Sequence, residues 1–178
     1  MTELREGDLA FSFPDGLHAT RYDGWAFYRH RFQSVAGGSR AVDILCLTGE
    51  TAWLLEIKDY RRHPRTKAVD ISDEVSAKVR DTLAGLAAAA KGANETEERE
   101  FARRALARRR WRVAFHLEQP ATRSRLRPRP FDPAAVLMTL RSKVKAVDAH
   151  PVVCSLDSGH AGIPWMARPF GAPSSGSD

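Results

Sequence analysis

Two apolar runs joined by a short turn constrain this chain more than any other feature. Arg40-Ala41-Val42-Asp43-Ile44-Leu45-Cys46-Leu47 reads as a buried strand, and Thr48-Gly49-Glu50-Thr51 as a turn. Ala52-Trp53-Leu54-Leu55-Glu56-Ile57-Lys58-Asp59-Tyr60 reads as a second strand, so the pair closes as a hairpin. Asp43, Glu56 and Lys58 interrupt its apolar pattern. Side chains alternate along a strand, which puts Glu56 and Lys58 on one face. A turn centred on Gly49-Glu50 sets Asp43 directly across from Glu56, with Cβ atoms about 5 Å apart. A turn one residue longer breaks this register.

The rest of the chain supplies layers for that hairpin. With 178 residues and 43% hydrophobic content, it is long enough for one domain with a real core. Leu9 to Phe13 alternates like a short strand and stops at Pro14-Asp15-Gly16. Residues 23–35 carry Trp25, Tyr28 and Phe32 at helical spacing, with Asp23 as a possible cap, and we read them as helix. Residues 70–90 form a helix whose stripe is Val75, Val79, Thr82, Leu83, Leu86 and Ala90. Asn94 with Glu97 signals the start of a second helix, 95–110. Trp111 to Leu117 is a strand, and 118–130 a loop rich in Pro and Arg. Pro133 opens a helix to about Val147, and Val152 to Leu156 is a last strand. The expected architecture is α/β or α+β, a mixed sheet flanked by helices, in one domain over 1–170 with a disordered tail at 171–178.

Charge and cysteine usage narrow the function classes. Lys and Arg number 28 against 22 Asp and Glu, a net charge of +6. That balance favours polyanionic partners such as nucleic acid. Cys46 and Cys154 each lie in an apolar run without metal-ligand spacing, which points to a reducing cytoplasm. No window reaches the roughly 20 apolar residues of a membrane helix, and the first residues do not read as a signal peptide.

Two carboxylates held together on a half-buried face repel, and a divalent cation is the economical way to offset that repulsion. Mg²⁺, or Mn²⁺, suits one or two carboxylates with a carbonyl and waters. Lys58 beside it would position a water or neutralise charge developing on a phosphate. Asp43 followed by Glu56-Ile57-Lys58 resembles the D…(D/E)-x-K core of the PD-(D/E)XK nuclease superfamily, the restriction-endonuclease-like fold, over roughly residues 23–117. The resemblance implies Asp43 and Glu56 as metal ligands, the Ile57 carbonyl as a further one, and Lys58 as the water-assisting group. It also implies that Lys78, on the helix after the hairpin, can reach the metal face. No proline precedes Asp43, and Asp23 is the nearest candidate for an additional upstream acid. The competing explanation is an exposed sheet face on which Lys58 is a surface ion-pair partner, and a Lys78–Asp81 pair on the helix.

Three basic stretches complete the reading. Arg61, Arg62, Arg65 and Lys67 follow the E-x-K strand and are expected to contact phosphates. Arg103, Arg104, Arg108 to Arg110 and Arg112 lie on or after a helix that also carries acids, and Arg123 to Arg129 fall in the loop. Gln119 reads as a turn residue. His30, His63, His116, His150 and His160 show no ligand spacing, and no Cys/His nucleophile pattern with a base stands out. The expectation is a metal-dependent nuclease acting on DNA rather than RNA, aided by a protein partner or by homodimerisation. The rival is a non-catalytic nucleic-acid-binding or accessory subunit of the same fold.

Overall fold

The computed structural model describes residues 1–63, 65–120, 131–158 and 162–171. Its centre is a five-stranded mixed sheet. The antiparallel strands are β3 (His18–Arg21), β4 (Ile44–Leu47) and β5 (Thr51–Asp59). β6 (Arg110–Glu118) and β7 (Val152–Cys154) continue the sheet in parallel with β5. Parallel neighbours need a crossover, and helices provide it. α1 (Ile71–Gly92) and α2 (Thr96–Leu106) link β5 to β6, and α3 (Pro133–Val144) links β6 to β7. A smaller antiparallel sheet is built from β1 (Thr2–Glu6), β2 (Leu9–Phe13) and β8 (Met166–Pro169), in the order β1-β2-β8. The expected mixed sheet with flanking helices is what the molecule has.

Period two on each strand explains the layering. Leu54 and Ala52 of β5 face the helices with Leu45, Val75, Val79, Leu86 and Phe115. Trp53, Leu55 and Ile57 face the small sheet, against Phe11, Phe13 and Trp165. β5 is therefore covered on both faces, which is why its sequence is apolar without alternation. α1 lies close to the core because Gly85 has no Cβ. A methyl there would run into the Tyr22 hydroxyl and come within 3.2 Å of the Phe32 ring.

Local signals explain most ends. The Asp70 side chain accepts the N–H groups of Ser72 and Asp73 and caps α1. Asp132 accepts the Ala134 N–H and Pro133 opens α3, which stops at Val144 rather than Val147. Asn94 does not cap α2. Glu95 is the N-cap residue, with no side-chain hydrogen bond, and α2 ends at Leu106. The segment read as a helix over 23–35 contains a π-helical turn at Tyr28–Phe32. Its first amides, Ala26 and Phe27, donate to the Glu98 carboxylate of α2 at 2.7 and 3.0 Å. The expected tail from 172 and the arginines of 121–130 lie outside the described residues.

Candidate functional site

The hairpin register is the one its turn dictates. Ile44 stands opposite Leu55, and Leu47 opposite Ala52. Continuing that ladder sets Asp43, just before β4, across from Glu56. Both acids share the strand face of Leu54 and Ala52, so they lie beneath α1 rather than in solvent. Glu56 is 0% exposed and Asp43 is 8% exposed. The exposed-face explanation therefore fails, because a helix covers the acids.

Lysines meet them there. Lys58 Nζ and Lys78 Nζ each lie 2.6 Å from Glu56 Oε1. Lys78 Nζ is also 3.5 Å from Asp43 Oδ1. Asp43 Oδ2 accepts the Ile57 N–H at 2.7 Å. Glu74 of α1 adds a carboxylate, 2.8 Å from both Arg65 and Lys67 and 3.9 Å from Lys58. Lys78 does not pair with Asp81, which instead accepts the Arg40 N–H and binds Arg80. Glu6 of β1 borders the group and pairs with Arg21 at 2.8 Å, and Asp23 also pairs with Arg21.

The two glutamates titrate in opposite directions. Burial pushes the Glu56 carboxyl up to about 7, reinforced by the Asp43 charge and opposed by Lys78 and Lys58. Burial also works to raise Glu74, but hydrogen bonds from Lys67 and Arg65 outweigh it and hold this carboxyl at about 2. Burial disfavours the Lys58 ammonium, yet the Glu56 charge and hydrogen bond overcome that and raise it above its usual range.

Ammonium and amide groups meet the acids where the resemblance placed a divalent cation. The facing oxygens of Asp43 and Glu56 are taken by an amide and two ammonium groups, and the Ile57 amide is bound to Asp43. Among the described residues, no group of three or more His, Cys, Asp or Glu side chains is disposed to hold a metal ion. The arrangement makes Lys58 and Lys78 counter-ions of a buried carboxylate.

The basic loop after β5 is likewise satisfied internally. Arg61 chelates Asp59 at 2.9 and 2.6 Å. Arg62 pairs with Asp8 at 2.9 Å. Arg65 donates to Tyr60 Oη and the Val69 carbonyl as well as to Glu74. Gln119 holds Phe131 through both its amide groups, a clamp on the chain rather than a ligand contact.

The other basic stretch behaves differently. α2 is acidic in its first turn, with Glu97 and Glu98, and basic in its last, with Arg103 and Arg104. Arg103 donates to the Ala90 carbonyl at 2.9 Å, Arg99 to Ala93 at 2.7 Å and Arg31 to Gly92 at 2.6 Å. Three guanidinium groups thus cap the C-terminal end of α1, beside Lys91. Arg108 donates to the Gly49 carbonyl. Among the described residues, Arg103, Arg104, Arg108, Arg109 and Arg110 make no ion pair with a carboxylate. Arg112 does, with Asp148 at 3.2 Å.

No family model matches the chain. No solved structure matches it. A cysteine–tRNA ligase of Neisseria meningitidis is 36% identical over 167 residues, 77% of this chain and 24% of the ligase. The match is to a ligase, not a nuclease. The chain spans about a quarter of that relative's length. This finding overturns the PD-(D/E)XK resemblance, and with it the reading of the chain as a phosphodiester hydrolase acting on DNA. The two acids of the D…E-x-K pattern do meet, with Lys58 and Lys78 beside them, so the correction rests on the similarity to the ligase. No described helix is long and apolar enough to cross a membrane.

Proposed function

We propose that this chain is an RNA-binding module that engages transfer RNA through the basic end of α2 and the turn that follows it. The observation that carries the reading is the 36% identity with a cysteine–tRNA ligase over most of the chain. Surface chemistry supports it. Lys91, Arg103, Arg104, Arg109 and Arg110 are exposed, and Arg103 is held by a carbonyl rather than a carboxylate. A guanidinium has five donors. One spent on a carbonyl leaves its charge and most of its donors available to phosphate. Such contacts position a polyanion without reading its bases. The Arg61 to Lys67 loop is a poorer candidate, because each of its cations already has an acid.

Fluorescence anisotropy with labelled tRNA, and with duplex DNA of matched length as competitor, tests this. The expected result is binding that weakens steeply with salt, and tRNA displaced poorly by DNA. Replacing Arg103, Arg104, Arg109 and Arg110 together by Ala should lower affinity at least tenfold. Binding that ignores salt, or a quadruple variant that binds like the wild type, refutes the proposal.

A further inference from the structure

The far side of the sheet holds a polar group that neither the charge cluster nor the basic surface uses. β6 and β7 run parallel with His116 opposite Cys154. Period two on β6 sets His116 and Glu118 on the same face, toward the small sheet. Cys154 Sγ lies 3.7 Å from His116 Nδ1. His116 Nε2 stands 2.8 Å from Glu118 Oε1, just off the line of a hydrogen bond. The Leu156 N–H donates to that same oxygen at 2.6 Å and fixes the carboxylate toward the ring. Phe11 of β2 packs edge-on against the imidazole at 5.1 Å. Asp59 of β5 is a further charged neighbour of His116, and Arg61 lies within electrostatic reach of Glu118. Thiol, imidazole and carboxylate are therefore in line, and Cys154, His116 and Glu118 are 5%, 1% and 4% exposed.

A cavity of about 180 Å³ reaches this line, with Cys154 and Glu118 in its wall. Asp157 contributes a second carboxylate, Ser155 and Ser158 contribute hydroxyls, and no Lys or Arg lines it among the described residues. Its size equals roughly six molecules of liquid water. The described wall is negative, which disfavours anions and suits a small group bearing an ammonium.

We propose that Cys154 accepts a small ammonium-bearing acyl group from an ester or thioester, with His116 taking the thiol proton and Glu118 orienting the imidazole. Burial pushes the Cys154 thiol up to about 12, so no thiolate waits at rest. The proton must leave as the bond forms, which is the task of a neighbouring base. Sulfur attacks the carbonyl carbon and forms the new C–S bond. The bond to the leaving alcohol or thiol breaks with its electron pair. His116 passes the proton it took to that leaving group, so no oxidant or reductant is needed. With Nε2–H toward Glu118, Nδ1 is free to accept from the thiol. The site stands apart from the RNA reading, and either can fail alone.

Cys46 is a built-in control. It is 0% exposed, and burial raises it to about 12 as well, but among the described residues the structure records no histidine contact to it. The experiment treats the whole folded chain with glycine S-benzyl thioester, quenches in acid and maps the glycyl adduct by mass spectrometry. N-acetylglycine S-benzyl thioester serves as the uncharged probe. The expected result is an adduct on Cys154 and not on Cys46, formed at least tenfold faster from the charged probe. His116→Gln should slow its formation roughly a hundredfold. Equal labelling of the two cysteines, no adduct on Cys154, or a His116→Gln protein as fast as the wild type overturns the assignment. The comparison of cysteines within the wild type needs no variant to fold.

Discussion

Two cationic regions of this molecule look alike in sequence and differ in what their charges meet. Around Glu56, four basic side chains (Lys58, Lys78, Arg65 and Lys67) close on buried carboxylates. Around the end of α1 and the turn after α2, arginines close on carbonyls or a hydroxyl, and among the described residues none of them meets a carboxylate. A carboxylate partner consumes a charge, whereas a carbonyl partner only aims it. Net charge therefore measures the supply of cations and not their availability. The first region belongs to the fold's stability, and the second faces outward with its charge intact.

Four measurements break or sharpen that contrast. The largest effect belongs to Lys78→Ala. It leaves the buried Glu56 carboxylate with one counter-ion fewer, and breaking such a pair costs about 4 kcal/mol. Urea denaturation should show that loss while tRNA affinity changes less than twofold. Unchanged stability would show that the cluster carries no such role. Next is pH. The folded pKa of Glu56 is raised to about 7 from its ordinary 4.5, so the folded state holds its proton longer. Its contribution is complete below pH 4.5 and is lost as pH climbs through 7, a decline of roughly 3 kcal/mol at most. Glu74, held at about 2, works the other way. Its contribution is present above pH 4.5 and is lost as pH falls toward 2. Stability plotted against pH should flatten on the upper limb in Glu56→Gln and on the lower limb in Glu74→Gln. If neither limb changes, the opposed titration is wrong.

The two smaller effects concern binding. Arg104→Ala alone should weaken tRNA binding severalfold and lower the salt slope by about one phosphate contact, with no change in melting temperature. Arg62→Ala removes an exposed pair with Asp8. It should alter stability by under about 0.5 kcal/mol and leave tRNA affinity within error. An Arg62→Ala protein that binds worse than Arg104→Ala would reverse the assignment of the two regions.

Legibility followed sequence distance. The meeting of Asp43 with Glu56 was readable because a short turn fixes register. The span of α1 was readable from its apolar stripe and the acids of its first turn. Lys58 beside Glu56 was readable from strand alternation, but the spacing on α1 favoured Asp81 over the acids as the partner of Lys78. Lys78 pairs with Glu56 across 22 positions instead of with Asp81 one turn away. A helix period reports which residues share a face but not what lies beneath it. The small sheet was missed for a similar reason. Its outer strands are short and half polar, and Leu9 finds Pro169 only through the fold. His116 and Cys154 carried no ligand spacing, since parallel pairing of distant strands leaves no local trace. The nuclease resemblance had rested on three residue types whose pattern a buried salt-bridge network reproduces equally well.

Arg31, Arg99 and Arg103 come from separate segments, yet the same helix end holds all three. Their spacing is then a property of that helix's last turn and not of three independent tethers. Little side-chain freedom is left to surrender when a ligand arrives. A comb of fixed teeth suits a strand whose own phosphates are fixed, as in a folded RNA, better than one that must first be straightened.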